Sequence, residues 1–327
     1  MPFTRTLVVL AAALLAGVHG ITPASAQEWP TRALTLVVPF AAGGGTDVMA
    51  RIVGRRMSEV LGQQVVVENI SGAGGMVGSA RVARAAPDGY TFVFGSRSDA
   101  INMTLYKHPT YSLKDDLAPV VLVADQPTIL VARKDLPADG LQAFVAYVKR
   151  NASTIKLGSA GIGATGYVDC AILNGMIGVS IQAIPYRGSG PAVQDLIGRQ
   201  FDYFCSISGS AASALQGNLI KGIAAFRRER LPSLPDVPTS HEQGMDFDAS
   251  TWFGFLVPKG TPAPIIKKLH DAAVAAMEMR DVQEQLAANG TYVFPPEQRS
   301  TEYFESIIVP EIEKNGAPLR AAGMLIE

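Results

Sequence analysis

An excess of one charge is missing from this chain: 28 lysines and arginines stand against 29 aspartates and glutamates, a formal net charge of −1 over 327 residues. That balance gives no support to a nucleic-acid or membrane-surface binder. Histidine is scarce as well. Of four, His19 falls in a leader-like segment, and His108, His241 and His270 stand apart from one another and from both cysteines, so no metal-ligand spacing exists. Neither a metal nor a cofactor is expected. The two cysteines, Cys170 and Cys205, leave two readings open, a disulfide in an oxidising compartment or a pair of buried small hydrophobes. The catalytic motifs are absent too: no Gly-x-Ser-x-Gly elbow, no His-Glu-x-x-His, and no Gly-Lys-Ser/Thr after a glycine loop. Because acids and bases can be assembled from remote positions, an α/β hydrolase or transferase acting on a carboxylated metabolite stays as the alternative to a non-catalytic binder.

Long apolar runs are confined to the start of the chain. Arg5, the apolar stretch Leu7 to Val18 and the small residues Ala24-Ser25-Ala26 have the order of a cleaved secretory signal, which places the mature N-terminus at Gln27. No later stretch reaches the roughly 18 apolar residues of a membrane span. The signal holds no cysteine for lipid attachment, so the expected product is an exported protein diffusing freely in a periplasm.

What the chain has in quantity is alternation of short β-rich runs with helical patterns, the mark of an α/β fold with mainly parallel strands. Strands are expected at Leu34 to Phe40, Gln64 to Asn69, Tyr90 to Gly95, Thr128 to Ala132, Ile155 to Gly158, Ile181 to Pro185, Asp202 to Ser206, Ile220 to Phe226 and Thr251 to Pro258. Helical patterns fill most of the intervals, and Pro264 to Met279, Val282 to Asn289 and Ser300 to Ala321 close the chain. Two α/β units follow, with crossings near Ala124 to Gln126 and Ser250 to Trp252. Residues 27–124 plus 252–327 make the first domain and 125–251 the second, as in a type II-like periplasmic binding clamshell with its cleft between them.

Two glycine-rich loops carry the chemistry. Phe40-Ala41-Ala42-Gly43-Gly44-Gly45-Thr46-Asp47 runs from a strand into a helix, where unobstructed N–H groups and the helix dipole favour an anion. Without the phosphate-binding lysine, a small carboxylate fits better than a nucleotide. Ser159 to Thr165, including Gly163 and Ala164, repeats the arrangement in the other half. Around them Ser96, Arg97 and Ser98 follow a strand, with Arg97 able to meet a carboxylate in a bidentate way. Tyr167, Tyr186, Asp202 and Ser206 are further candidates to line the cleft, each of which could equally pack against the sheet or steady a loop.

These segments resemble the Bug-type, TctC-like solute-binding receptors of tripartite tricarboxylate transporters. The resemblance rests on Trp29-Pro30-Thr31-Arg32, Val37 to Gly44 with Asp47 and Arg51, Val67-Glu68-Asn69, Gly72-Ala73-Gly74-Gly75, Pro87-Asp88-Gly89-Tyr90, Pro185-Tyr186-Arg187-Gly188, Leu234 to Thr239 and Trp252-Phe253-Gly254, in that order. It implies a monomeric periplasmic receptor that closes on a small organic carboxylate and passes it to membrane permease subunits. It also implies that Phe40, Ala41, Gly43, Gly44, Thr46 and Asp47, together with Ser159, Gly163, Ala164 and Thr165, hold one carboxylate, partly through water. Ala164 and Tyr167 replace the serine and histidine usual in the family. The larger aromatic wall and Arg97 point to a dicarboxylate, with an aromatic one such as terephthalate as an option.

Overall fold

The computed structural model describes residues 28–321 and 324–326, so the signal-like segment 1–26 and its cleavage point lie outside the described residues. Residues 1–31 form one unit and Arg32–Glu327 another. Of the first, only residues 28–31 are described; the second carries the whole sheet.

Its centre is a ten-stranded sheet in the order β2-β1-β3-β9-β4-β7-β5-β6, with β8 and β10 also paired to β4. The strands are β1 (Leu34–Val38), β2 (Val65–Asn69), β3 (Thr91–Ser96), β4 (Leu117–Arg133), β5 (Leu157–Ser159), β6 (Ala183–Pro185), β7 (Tyr203–Ile207), β8 (Ile220–Ala225), β9 (Ser250–Pro258) and β10 (Tyr292–Val293). The flanking groups β2-β1-β3 and β6-β5-β7 are parallel, as strand-to-helix alternation requires. The strands through the middle, β4 and β9, pair antiparallel with each other and with their other neighbours.

Strand β4 is longer than the sequence pattern suggests. Asp125-Gln126-Pro127 reads as a break, yet pairing with β9 continues through Asp125↔Trp252, Gln126↔Thr251 and Pro127↔Ser250. One strand of 17 residues therefore runs from the first group of strands to the second.

The helices are α1 (Gly45–Leu61), α2 (Met76–Ala83), α3 (Arg97–Leu105), α4 (Leu141–Arg150), α5 (Thr165–Met176), α6 (Ser189–Ile197), α7 (Ser208–Gln216), α8 (Ala263–Glu278), α9 (Arg280–Ala288) and α10 (Thr301–Ala321). Among the described residues no helix is long and apolar enough to cross a membrane. Helix α7 has no counterpart in the sequence reading, because Ser208-Gly209-Ser210-Ala211-Ala212-Ser213 offers small residues on every face and little amphipathic contrast.

Burial explains the register of the middle strands. On β3 and β9 the rings of Phe92, Phe94 and Phe255 meet at centroid distances of 5.5 and 5.1 Å. Such pairs add about 0.5–1.5 kcal/mol each beyond area burial. A one-residue slip would turn them all to the opposite face. In the other group, Cys170 on α5 and Cys205 on β7 form a disulfide with Cα atoms 5.5 Å apart. The disulfide reading therefore holds and the alternative of two unbridged buried cysteines does not, although both residues are buried.

Candidate functional site

Five helices begin around a single small cavity. Gly44, Gly45 and Thr46 open α1, Ser96 and Ser98 open α3, Ala164, Thr165 and Gly166 open α5, Ser189 opens α6, and Ile207 and Ser210 open α7; all line it. The cause is topological. Each of these helices follows a sheet strand or a loop at its carboxyl end, where α/β proteins gather their helix N-termini. First-turn N–H groups have no intrahelical partner, and each terminus carries partial positive charge.

Local bonding holds these termini in place. At α1, Asp47 accepts the Gly43 N–H at 3.0 Å, Asn69 Nδ2 at 2.9 Å and Arg51 Nη2 at 2.9 Å. Burial alone would raise its pKa, but Arg51, Gly43 and Asn69 together hold it below the ordinary aspartate value. At α3 a capping box joins Ser96 and Asp99, with the Ser96 N–H donating to Asp99 at 2.7 Å. Asp99 is fully enclosed, which raises its pKa despite hydrogen bonds from Ser79 and Tyr111.

Hydrogen bonds also cross from one glycine loop system to the other. The Gly45 N–H donates to Ser210 Oγ at 2.7 Å, the Ala41 N–H to the Arg187 carbonyl at 3.0 Å, and the Thr165 N–H to Ser98 Oγ at 3.1 Å. Glycine makes this approach feasible. A Cβ on Gly45 would stand 2.9 Å from the Gly209 carbonyl carbon and the Ser210 nitrogen, and one on Gly74 only 2.4 Å from the Gly163 carbonyl carbon.

The cavity measures about 30 Å³ and has no Lys, Arg, His, Asp or Glu in its wall. Seven hydroxyl side chains line it: Thr46, Ser96, Ser98, Thr165, Ser189, Ser210 and Thr251. Thr251 Oγ1 is buried with no hydrogen-bond partner. The chemistry on offer is recognition of an anion by dipoles, N–H and O–H groups.

Of the residues expected from sequence, Phe40, Gly44, Thr46, Ser96, Ser98, Ala164 and Thr165 meet at this cavity. The others are engaged elsewhere. The Ala41 N–H is taken by Arg187, Gly43 and Asp47 bond each other, Ser159 Oγ accepts the Gly161 N–H at 3.0 Å, and Gly163 packs against Asn102.

Arg97 does not face the cavity, contrary to expectation. Its guanidinium turns away to Asp169 at 2.9 Å, the Ser250 carbonyl at 3.1 Å and Asn315 at 3.0 Å. Tyr167 lies on a separate cavity of about 410 Å³ that also touches Met324. Tyr186 donates to Asp195 at 2.8 Å; burial, then that carboxylate, pushes its phenol up to about 12. Asp202 sits just ahead of β7, away from the cavity, taken by Arg133 and the Lys156 N–H at 2.7 Å each. Ser206 is absent from the cavity wall although its neighbours Cys205 and Ile207 line it, and its hydroxyl is spent on the Ile207 carbonyl at 3.1 Å.

Sequence reasoning missed Gly45, Ala160, Gly166, Ser189, Cys205, Ile207, Ser210, Thr251 and Phe253. Two signals were available: Ser208-Gly209-Ser210 repeats the strand, small-residue, helix order of the two recognised loops, and Thr251 and Phe253 share one face of β9. Away from the cavity, His241, Asp246 and Asp248 do come together at the surface, where Arg228 also pairs with both carboxylates.

The sequence pattern of the TctC family, tripartite tricarboxylate transporter family receptor, matches residues 49–324. Three solved structures are similar over their whole length. The periplasmic binding protein BugD is 35% identical with a TM-score of 0.88, covering 91% of this chain and 100% of its own. MatC from Rhodopseudomonas palustris, solved with bound malate, is 36% identical with a TM-score of 0.86, covering 89% and 100%. The R. palustris protein Rpa4515, solved with adipate, is 30% identical with a TM-score of 0.85, covering 90% and 99%.

Proposed function

This chain belongs to the TctC family of tripartite tricarboxylate transporter receptors, which are periplasmic binding proteins and not enzymes, and from that premise we propose that it captures a small organic acid by closing two lobes on its carboxylate. The observation that carries this reading is the uncharged cavity ringed by five helix N-termini. A carboxylate there is stabilised by each nearby dipole, about 0.3–1 kcal/mol per terminus and more where water is excluded. The wall offers no side chain to act as acid or base, since Cys205 is tied in the disulfide.

The lobes are residues 27–124 plus 252–327 and residues 125–251, hinged where β4 and β9 cross. A carboxylate touching the first turns of α1 and α3 on one side and α5, α6 and α7 on the other binds the closed form better than the open one. Only that difference drives closure. A cavity of about 30 Å³ suits the carboxylate group itself, so the ligand enters with the lobes apart. In the cell the protein is exported by a cleaved leader, acts as a monomer and delivers its acid to a permease. A dicarboxylate is favoured, in keeping with the malate and adipate bound by MatC and Rpa4515.

A thermal-shift screen of mono-, di- and tricarboxylates, aliphatic and aromatic, tests this. A cognate acid at 100 times its dissociation constant adds about 2.7 kcal/mol to stability. It is recovered unchanged after incubation; chemical turnover, or the absence of any stabilising acid, overturns the reading.

A further inference from the structure

We propose that Phe40 partitions one elongated site and that Arg187 receives the far end of the ligand, so that the solute is a dicarboxylate long enough to pass Phe40. This rests on the carboxylate-receptor reading above and adds to it the second charge and where that charge is met.

The small cavity does not stand alone. Phe40 and Ala160 line both it and a neighbouring cavity of about 330 Å³. Neither matches an organic acid by itself: the first has room for about two waters, and the second has no ring of helix N-termini. The second already stands at the lower end of the usual ligand-pocket range, roughly 300–1,000 Å³, and the first adds to it the helix N-termini that it lacks. The Phe40 ring is the wall between them. Its far edge rests against Gly75, where an added Cβ would lie 3.3 Å from Phe40 Cζ.

The second chamber has a definite electrostatic character. Its walls are glycine, apolar groups and the rings of Tyr106 and Tyr186, and Arg187 is its one charged residue. Among the described residues the Arg187 side chain makes no ion pair, while its carbonyl accepts the Ala41 N–H at 3.0 Å and fixes the loop at the seam. Arg97, by contrast, is neutralised by Asp169. A ligand body that passes Phe40 therefore meets a single cation and no acid. A second carboxylate gains from that; a neutral tail does not.

Titration calorimetry on the full mature chain tests both parts, using adipate against hexanoate and succinate against butyrate as length-matched pairs. Wild-type protein is expected to favour adipate over hexanoate, and Arg187→Gln to cut that ratio about tenfold, with Arg187→Lys restoring most of it. The succinate-to-butyrate ratio is expected to stay within about twofold, because a four-carbon acid does not reach past Phe40. An unchanged adipate ratio in Arg187→Gln overturns the role of Arg187. An equal fall in the succinate ratio overturns the partition by Phe40. A wild-type protein that binds these acids without preferring adipate overturns the inference and leaves the receptor reading intact, whereas one that binds no carboxylate in the wider screen removes both.

Discussion

Two cavities lie back to back across the crossing strands β4 and β9, and they solve opposite problems. In front, Thr251 and Phe253 of β9 face the uncharged cavity of helix N-termini. Behind, Asp125 and Pro127 of β4 and Ser250 and Trp252 of β9 face a cavity of about 530 Å³ lined by Arg97, Arg227, Lys314, Asp125, Asp248 and Glu311. On the function proposed, the side without formal charge is the one that takes the anion. Behind, Arg97 pairs with Asp169 and Lys314 with Glu311, Arg227 stacks on the Tyr292 ring, and the Arg97 guanidinium joins α3, α5, β9 and α10 through Asp169, Ser250 and Asn315. Charge in a cleft is a poor guide to ligand binding where the charges already neutralise one another; unpaired dipoles are the better one.

The largest effect that tests this contrast comes from Arg97→Met. Removing the cation strands Asp169, which is fully buried and, among the described residues, otherwise hydrogen-bonded only by the Thr128 hydroxyl at 2.7 Å. Loss of one partner of such a pair costs about 3–5 kcal/mol. Chemical denaturation is expected to show that loss, with Asp169→Asn in the same chain recovering part of it. If instead stability holds and dicarboxylate affinity collapses, Arg97 is a ligand residue and the division between front and back fails.

Next in size is Gly45→Val, which attacks the front side only. The new side chain meets the Gly209 and Ser210 backbone and keeps the lobes from closing. Carboxylate affinity is expected to fall about 100-fold, or roughly 2.7 kcal/mol, with little change in denaturation midpoint. Small-angle scattering should show that added ligand no longer compacts the variant. Normal binding would reduce the first loop to a turn.

These two residues also show what was legible in sequence. The Gly43-Gly44-Gly45 loop announced itself because strand, glycine run and helix are local features, and the anion argument needs nothing else. Arg97 follows a strand in the same way and so looked like a cleft residue. Its actual partners, Asp169, Ser250 and Asn315, lie 72, 153 and 218 positions away, and no local pattern reveals which way a long side chain turns. Ser206 is absent for a simpler reason: its hydroxyl bonds the next carbonyl along β7, which no spacing reveals. The flanking parallel strands were readable from their helices, but the antiparallel course of β4 through Asp125-Gln126-Pro127 depends on β9, more than 100 residues later.

The back cavity responds to pH through Asp125. Burial raises Asp125 to about 6 from 3.8, against the opposing pull of Ser250, Arg227 and Arg97. The fold therefore favours the neutral acid. That contribution is full below pH 3.8 and is lost as pH rises through about 6. Asp125→Asn is expected to stabilise the protein by about 1–2 kcal/mol at pH 7.5 and to give no gain at pH 3.5. A gain that is the same at both values would place the effect in packing rather than in charge.

The smallest effect separates front from back at the level of single hydroxyls. Ser210 Oγ accepts the Gly45 N–H at 2.7 Å and stands in the cavity wall, whereas Ser206 Oγ donates to the Ile207 carbonyl at 3.1 Å and is not part of that wall. Both are small serines close in sequence, so substitution by alanine changes volume equally little. Ser210→Ala removes a bond that ties the two loop systems together and a donor that can turn toward a bound carboxylate. The loss expected in calorimetry is about 0.5–1.5 kcal/mol of ligand affinity. Ser206→Ala leaves its carbonyl partner β-paired and the cavity untouched, so its affinity stays at the wild-type value while stability falls slightly. Were the two variants to weaken binding alike, the ligand would reach Ser206 as well as Ser210, and the wall of the small cavity would no longer mark which residues meet it.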